Sequence, residues 1–169
     1  MDNQTYGLTK GQSSPTSATG YVTATSPQGN PEAPVNGLTI ALAAGGSFLA
    51  RGFSAHPKQL VALLKEAIVH EGFSIVEVMS PCVTFNKINT YAWFKEHIYC
   101  VTENLDYNPT SRLQAFKLLM SDDRIPLGVL FHEDRPTFET LSNLGPTPLV
   151  KLPLERRAAD YTSLLDAYA

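Results

Sequence analysis

The sequence predicts an α/β domain whose mostly parallel sheet is flanked by helices. Three observations carry this. Short apolar or β-branched runs recur at 47–51, 73–79 and 125–131, helical periodicities fill the intervals, and Gly or Pro marks the junctions. Strands alternating with helices are joined by crossovers and lie mostly parallel, and continuous apolar runs suit strands covered on both faces.

Each element has its own signal. Asn36 is placed to cap a helix through Leu38, Ile40, Ala41, Leu42 and Ala44, which Gly45-Gly46 stops. Ser47-Phe48-Leu49-Ala50-Arg51 reads as a strand. His56-Pro57 sets proline in a first helical turn. Leu60, Leu63, Leu64, Ala67 and Ile68 then share one face of a helix that ends at Gly72. Phe73–Met79 is a buried strand. After Pro81 comes a loop, then a helix from Asn89-Thr90 through Tyr91, Trp93, Phe94 and Ile98. A helix over 110–120 exposes its register through Leu113, Phe116, Leu118 and Leu119, and Ile125–Phe131 is a further strand. A last amphipathic helix is expected over about 154–168. There is no internal repeat.

The first 36 residues differ in kind. Twenty-one of them are Gly, Pro, Ser, Thr or Asn, and residues 1–50 carry only Asp2, Lys10 and Glu32 as formal charges. Residues 13–35 therefore read either as a disordered tail or as a polar loop packed over a ligand or partner; disordered tails are usually more charged than this.

Composition excludes several classes. Across 169 residues, 43% hydrophobic and 17% charged, a sizeable core is available. A net charge of -3 argues against binding nucleic acid through phosphate contacts. No apolar run approaches the roughly 20 residues of a membrane span, and the first residues lack the basic start and apolar stretch of a signal peptide; a cytoplasmic location is expected. Cys82 and Cys100, the two cysteines, exclude a disulfide scaffold and cannot alone supply four thiolates to a cluster.

Parallel sheets bind ligands beyond the carboxyl ends of their strands, which singles out the opening segment and Ser80-Pro81-Cys82. Nucleophile-elbow, phosphate-loop and zincin motifs are missing, and Ala43-Ala44-Gly45-Gly46 reads as a helix end feeding a strand. His56, His70, His97 and His132 are scattered; His70 is assigned to the dipole of its helix end. Glu133-Asp134-Arg135 reads as a solvated cluster and Cys100 as core. Cys82 is either a structural thiol or functional. Asn3, with a backbone carbonyl two residues on at Thr5, offers the hard oxygens that Mg²⁺ takes alongside carboxylate and phosphate oxygens; the same residues also suit an ordinary turn.

Asp2-Asn3-Gln4-Thr5-Tyr6-Gly7-Leu8-Thr9-Lys10-Gly11-Gln12, with Ser14-Pro15-Thr16-Ser17, resembles the thiamine-diphosphate loop of the 2-oxoacid:ferredoxin oxidoreductase beta subunit. Residues 41–54, Ser80–Asn86 with Asn89-Thr90-Tyr91 and Trp93–Glu96, and Ile125–Phe131 with Arg135-Pro136-Thr137 extend the resemblance over about residues 1–140, nearest the 2-oxoglutarate and broad 2-oxoacid branch. It implies a partial thiamine-diphosphate-binding fold: a cofactor loop at 1–36, an α/β core at 37–140, and a tail at 141–169.

The same resemblance implies site roles. Asn3 (side chain) and Thr5 (carbonyl) would bind Mg²⁺, and Asn3, Gln4, Thr5, Tyr6, Gly7 and Leu8 would line thiamine diphosphate. Cys82 would be one ligand of a [4Fe–4S] cluster. The implied activity is oxidative decarboxylation of a 2-oxo acid, 2-oxoglutarate or pyruvate, to acyl-CoA with ferredoxin reduction. Its implied partners are an alpha (or fused alpha-gamma) subunit, ferredoxin and coenzyme A. The family's Gly-Asp-Gly segment and further cluster cysteines lie upstream of the Asn loop and are not in this sequence, so the chain is expected to be the C-terminal half of a beta subunit, from a split gene or a truncated frame. A thiamine-diphosphate lyase without electron transfer and a non-catalytic interaction domain are the alternative readings.

Overall fold

Asn36 opens the regular part of the chain. Its Oδ1 accepts the Thr39 N–H at 3.0 Å, capping α1 (Gly37–Ala43), while its amide donates to the Leu119 carbonyl at 2.8 Å. The chain then runs through β1 (Phe48–Phe53), α2 (Pro57–Val69), β2 (Ser74–Met79), α3 (Tyr91–His97), β3 (Ile98–Cys100), α4 (Arg112–Leu119) and β4 (Ile125–His132). This computed structural model describes residues 1–121, 124–142, 145, 147–151 and 166. Met1–Arg135 form one compact unit and Pro136–Ala169 a second. In the second, Thr137 caps the short helix α5 (Phe138–Leu141), and Leu149–Lys151 form a 3₁₀ turn. The helix expected over 154–168 lies outside the described residues.

The sheet has the order β2-β1-β4-β3. β1 pairs with β2 in parallel and β3 with β4 in parallel, so the mostly parallel α/β expectation holds; β4 runs antiparallel to β1. Strand alternation in β1 serves both faces. Phe48 and Ala50 pack with Leu63 of α2, and Leu49 packs with Leu38, Leu42 and Leu119 of α1 and α4. Gly52 is where α2 comes closest, since a Cβ there would lie 2.8 Å from Leu60 Cδ1. Phe53 ends β1 in an aromatic group with His56, Tyr91 and Phe94, ring centroids 5.3–5.5 Å away. The Tyr107 hydroxyl donates to the Leu130 carbonyl, and burial pushes its pKa up to about 12.

Several expectations need correction. The aromatic helix stops at His97, because Ile98 begins the short strand β3; three residues carry too little periodicity to show in the sequence. Cys100 accordingly lies in β3, half-buried, and accepts from Gln59 Nε2 at 3.3 Å. On α2 only Leu63 is fully buried, and Ile68 is 81% exposed. On α4 the buried residues are Ala115 and Leu119, with Leu113 and Phe116 outward. These helices present wider apolar arcs than the sheet covers. Residues 13–35 are a packed loop: Ser17 is buried, its Oγ donates to the Gln4 carbonyl at 2.7 Å, and Asn30 donates to the Ser17 and Glu32 carbonyls. Glu133 is not simply solvated, for it pairs with Arg112 at 2.7 Å and Arg135 at 3.3 Å.

His70 is not the cation that a helix dipole would favour. Its Nε2 lies 2.9 Å from the buried Ser47 hydroxyl and its ring 5.2 Å from that of His132. Burial, then the His132 charge, push its pKa down; Asp134 and Glu71 oppose them more weakly.

Two predictions follow from this packing. Phe53→Ala should cost about 3–5 kcal/mol in urea unfolding, against about 0.5 kcal/mol or less for Ile68→Ala. His70 folds with a lowered pKa, so the stability it contributes is present above the ordinary histidine value of 6.5 and is lost as pH falls through the lowered folded value. Unfolding midpoints measured from pH 8 to 5 should fall on acidification, and His70→Gln should flatten that slope.

Candidate functional site

The opening segment is seated on the carboxyl end of β2. Asp2 forms a parallel bridge with Met79: its N–H donates to the Val78 carbonyl and its carbonyl accepts the Ser80 N–H, both at 2.8 Å. The Asn3 amide group donates to the Ser80 carbonyl, which fixes which way the side chain lies. Asp2 Oδ1 accepts the Gln4 N–H at 2.9 Å and the Thr16 hydroxyl at 2.6 Å. Gln4, at φ 54°, occupies the left-handed region that non-glycine residues rarely adopt. Strain of this kind persists where the surroundings over-determine it, and here the Asp2 carboxylate and the Ser17 hydroxyl hold both backbone groups of Gln4.

From Thr5 the chain turns back on itself. The Thr5 hydroxyl and the Tyr6 N–H both donate to the Gln12 carbonyl, and the Gly11 N–H returns to the Tyr6 carbonyl. The tip of this turn packs on the second loop singled out in the sequence. A Cβ on Gly7 would lie 2.8 Å from Cys82 Sγ, and one on Gly11, at φ 96°, would lie 3.0 Å from the Phe85 ring. Glycine is therefore required at both places, by close approach at one and by conformation as well at the other. Buried Asn86 ties the loops together: its amide donates to the Asn3 carbonyl at 3.4 Å, and its Oδ1 accepts the Ile88 and Asn89 N–H groups.

Asn3, Gln4, Thr5, Tyr6, Gly7 and Cys82 are thus gathered at one end of β2. Leu8 belongs to the same turn but is wholly exposed at its tip. Among the described residues no hydrogen bond ends on Asn3 Oδ1 or on the Thr5 carbonyl, so both hard oxygens remain able to take a cation. Gln4 Oε1 is buried without a partner among them, which suits a donor arriving from a ligand or an adjoining chain. No group of three or more His, Cys, Asp or Glu side chains able to hold a metal exists among the described residues. A cation here would draw its other ligands from elsewhere.

The Cys82 thiol sits among backbone donors. The backbone N–H of Phe85, then those of Thr84 and Asn86, together with the Lys87 charge, lower its pKa against partial burial. Sequence reasoning missed the pair beneath this site: Arg51 and Glu77, cross-strand neighbours on β1 and β2, meet at 2.6 Å. Their signal was a lone charge within each of two apolar strands, since buried charges come paired. Thr16, Ser17 and Asn86 carried no comparable signal.

Residues 1–78 match the family model "Thiamine pyrophosphate enzyme, C-terminal TPP binding domain", and residues 82–144 match the model for the C-terminal part of the "Pyruvate ferredoxin oxidoreductase beta subunit". Subunit beta of 2-oxoacid:ferredoxin oxidoreductase 2 from Aeropyrum pernix is 38% identical over 169 residues, covering 93% of this chain and 55% of its own length. The 2-oxoglutarate synthase subunit KorB of Archaeoglobus fulgidus is 42% identical over 88 residues, 52% of this chain and 33% of its own. A solved 2-oxoglutarate:ferredoxin oxidoreductase from Magnetococcus marinus, with 2-oxoglutarate, coenzyme A and succinyl-CoA bound, superposes with a TM-score of 0.81 at 32% identity, covering 100% of this chain and 56% of that one. The chain spans about half the length of the relatives that match it over most of its length.

The lowered thiol pKa gives a direct test: alkylation of Cys82 by iodoacetamide, followed by peptide mass against pH, should inflect at lower pH in the folded chain than in the unfolded one. By sequence and by fold, the chain is similar to the C-terminal portion of 2-oxoacid:ferredoxin oxidoreductase beta subunits.

Proposed function

We propose that this chain is the C-terminal half of a thiamine-diphosphate-binding beta subunit, acting in the oxidative decarboxylation of a 2-oxo acid, 2-oxoglutarate or pyruvate, to acyl-CoA with reduction of ferredoxin. The observation that carries the reading is the joint seating of the Asn3–Leu8 turn and Cys82 at the end of β2, with no donor to Asn3 Oδ1 or the Thr5 carbonyl among the described residues. In this reading those two oxygens hold Mg²⁺, residues 3–8 bind the diphosphate, and Cys82 is one ligand of a [4Fe–4S] cluster. When bound, thiamine diphosphate supplies the electron sink for loss of CO₂.

The chain's own residues do the positioning. Ser80 holds the amide half of Asn3, which leaves its oxygen to the cation. Asp2 and Ser17 hold Gln4 in its left-handed turn, and that turn presents the Thr5 carbonyl. The Thr5 hydroxyl closes the turn on Gln12. The N–H groups around Cys82 ease loss of its proton, as thiolate ligation requires. The low charge of the segment fits an anionic ligand neutralised by a cation. An upstream segment with Gly-Asp-Gly supplies the remaining Mg²⁺ ligand and three cysteines, and an alpha (or fused alpha-gamma) subunit supplies the carboxylate that activates the cofactor.

Purifying the chain with its upstream companion, and assaying iron, thiamine diphosphate and 2-oxoacid-dependent ferredoxin reduction, tests this. All three should be present; cofactor and activity without iron would favour a lyase, and neither cofactor an interaction domain. In the same complex, Asn3→Leu should weaken Mg²⁺-dependent thiamine diphosphate binding by roughly 100-fold, about 2.8 kcal/mol, in calorimetric titration.

A further inference from the structure

A cavity of about 390 Å³ opens between the end of α4, the second halves of β1 and β2, and the start of β4. Its walls include the side chains of Asp2 and Gln4, but not Asn3, Thr5 or Cys82, the residues given to metal ions. Strand register gathers its polar groups. Arg51 stands opposite Glu77, and Asp2 opposite Met79, in parallel pairs, so all four side chains project from one face of the sheet.

The hydrogen bonding on this face is incomplete. Arg51, with 11% of its side chain exposed, donates Nε to Glu77 at 2.6 Å. Among the described residues nothing accepts from its two Nη groups. A guanidinium carries five N–H donors, and a buried one needs acceptors for them. Asp2 takes both of its donors on Oδ1, which leaves Oδ2 with none among the described residues. Gln4 Oε1 is buried and likewise without a donor.

These unmet needs are of opposite sign. The edge formed by two Nη groups matches a carboxylate, whereas Asp2 Oδ2 and Gln4 Oε1 can only accept. The charges in the described wall balance, Asp2 and Glu77 against Arg51 and Arg124. Arg124 is already taken up by the Ile98 carbonyl and the Tyr99 ring. A balanced site exerts no general pull on an anion; it suits a ligand that is neutral overall and carries both charges. Met79, Leu118 and Ile125 add an apolar stretch of wall, which water does not satisfy.

We propose that this cavity binds a zwitterionic α-amino acid with an apolar side chain. Arg51 takes its carboxylate, Asp2 Oδ2 and Gln4 Oε1 take its ammonium, and Met79, Leu118 and Ile125 receive its side chain. Asn3, Thr5 and Cys82 have no part in it, so its failure leaves the beta-subunit reading standing, and the reverse also holds.

Calorimetric titration of this chain with L-leucine tests it. One saturable site is expected, tighter than about 10 mM. Two analogues each keep half of the head group: 4-methylpentanoate lacks the ammonium and 3-methylbutylamine lacks the carboxylate. Each should bind at least about 10-fold more weakly, because each leaves charged or polar wall atoms unpaired. Gln4→Met should weaken L-leucine by about 10-fold. Arg51→Met combined with Glu77→Leu removes the carboxylate partner without stranding a charge, and should abolish binding. If that double variant unfolds, Gln4→Met and the two analogues decide the matter. Absence of saturation by L-leucine overturns the proposal, since the cavity then holds water. Equal binding of 4-methylpentanoate overturns it in favour of a plain anion site, and binding that ignores both variants places the ligand elsewhere.

Discussion

Everything proposed for this chain depends on how its first residues are held against the end of β2. Two backbone hydrogen bonds from Asp2 make the opening segment part of the sheet. The Asn3 amide then locks onto Ser80, one residue beyond the strand. A loop at the carboxyl end of a parallel strand faces the crevice where such sheets take ligands, and here two loops meet there with glycines at their contacts. The approach of Gly7 to Cys82 and of Gly11 to Phe85 gives the pair its close fit.

The polar stretch after the turn has a structural role that follows from this. Buried backbone groups must find partners, and a turn as tight as residues 3–12 has too few of its own. Thr16 and Ser17 satisfy Asp2 and Gln4, and Asn30 in turn satisfies Ser17. Small hydroxyl and amide side chains are suited to this because they reach the backbone without filling the space around it. The richness of Ser, Thr and Asn that reads as tail in composition is the packing material of the turn.

Much of this was legible in the sequence. Periodicity located α1, α2, α4, β2 and β4 because each buries a stripe or a run against the sheet. The cap at Asn36 and the stop at Gly45 were readable because their backbone conformations demand those residue types. β3 was not readable, being a three-residue strand continuous with the end of a helix. The antiparallel direction of β4 was not readable either, since hydrophobic pattern reports burial and not polarity of pairing. At the candidate site, motif resemblance singled out Asn3, Thr5 and Cys82. The partners that orient them, Ser80 through its carbonyl and Phe85 through its N–H, act by backbone groups that leave no trace in residue identity. The dipole role assigned to His70 failed because its neighbours in space, Ser47 and His132, are far away in the chain.

The Arg51–Glu77 pair has an evolutionary consequence. It joins neighbouring strands with side chains only 11% and 17% exposed. Losing either partner from a buried pair strands a charge at a cost of about 3–5 kcal/mol, less here to the extent that water reaches it, whereas replacing both by apolar residues can be neutral. A lineage can therefore leave this arrangement only by two coupled substitutions, with a destabilised intermediate between them. The two positions are expected to change together or to stay as they are.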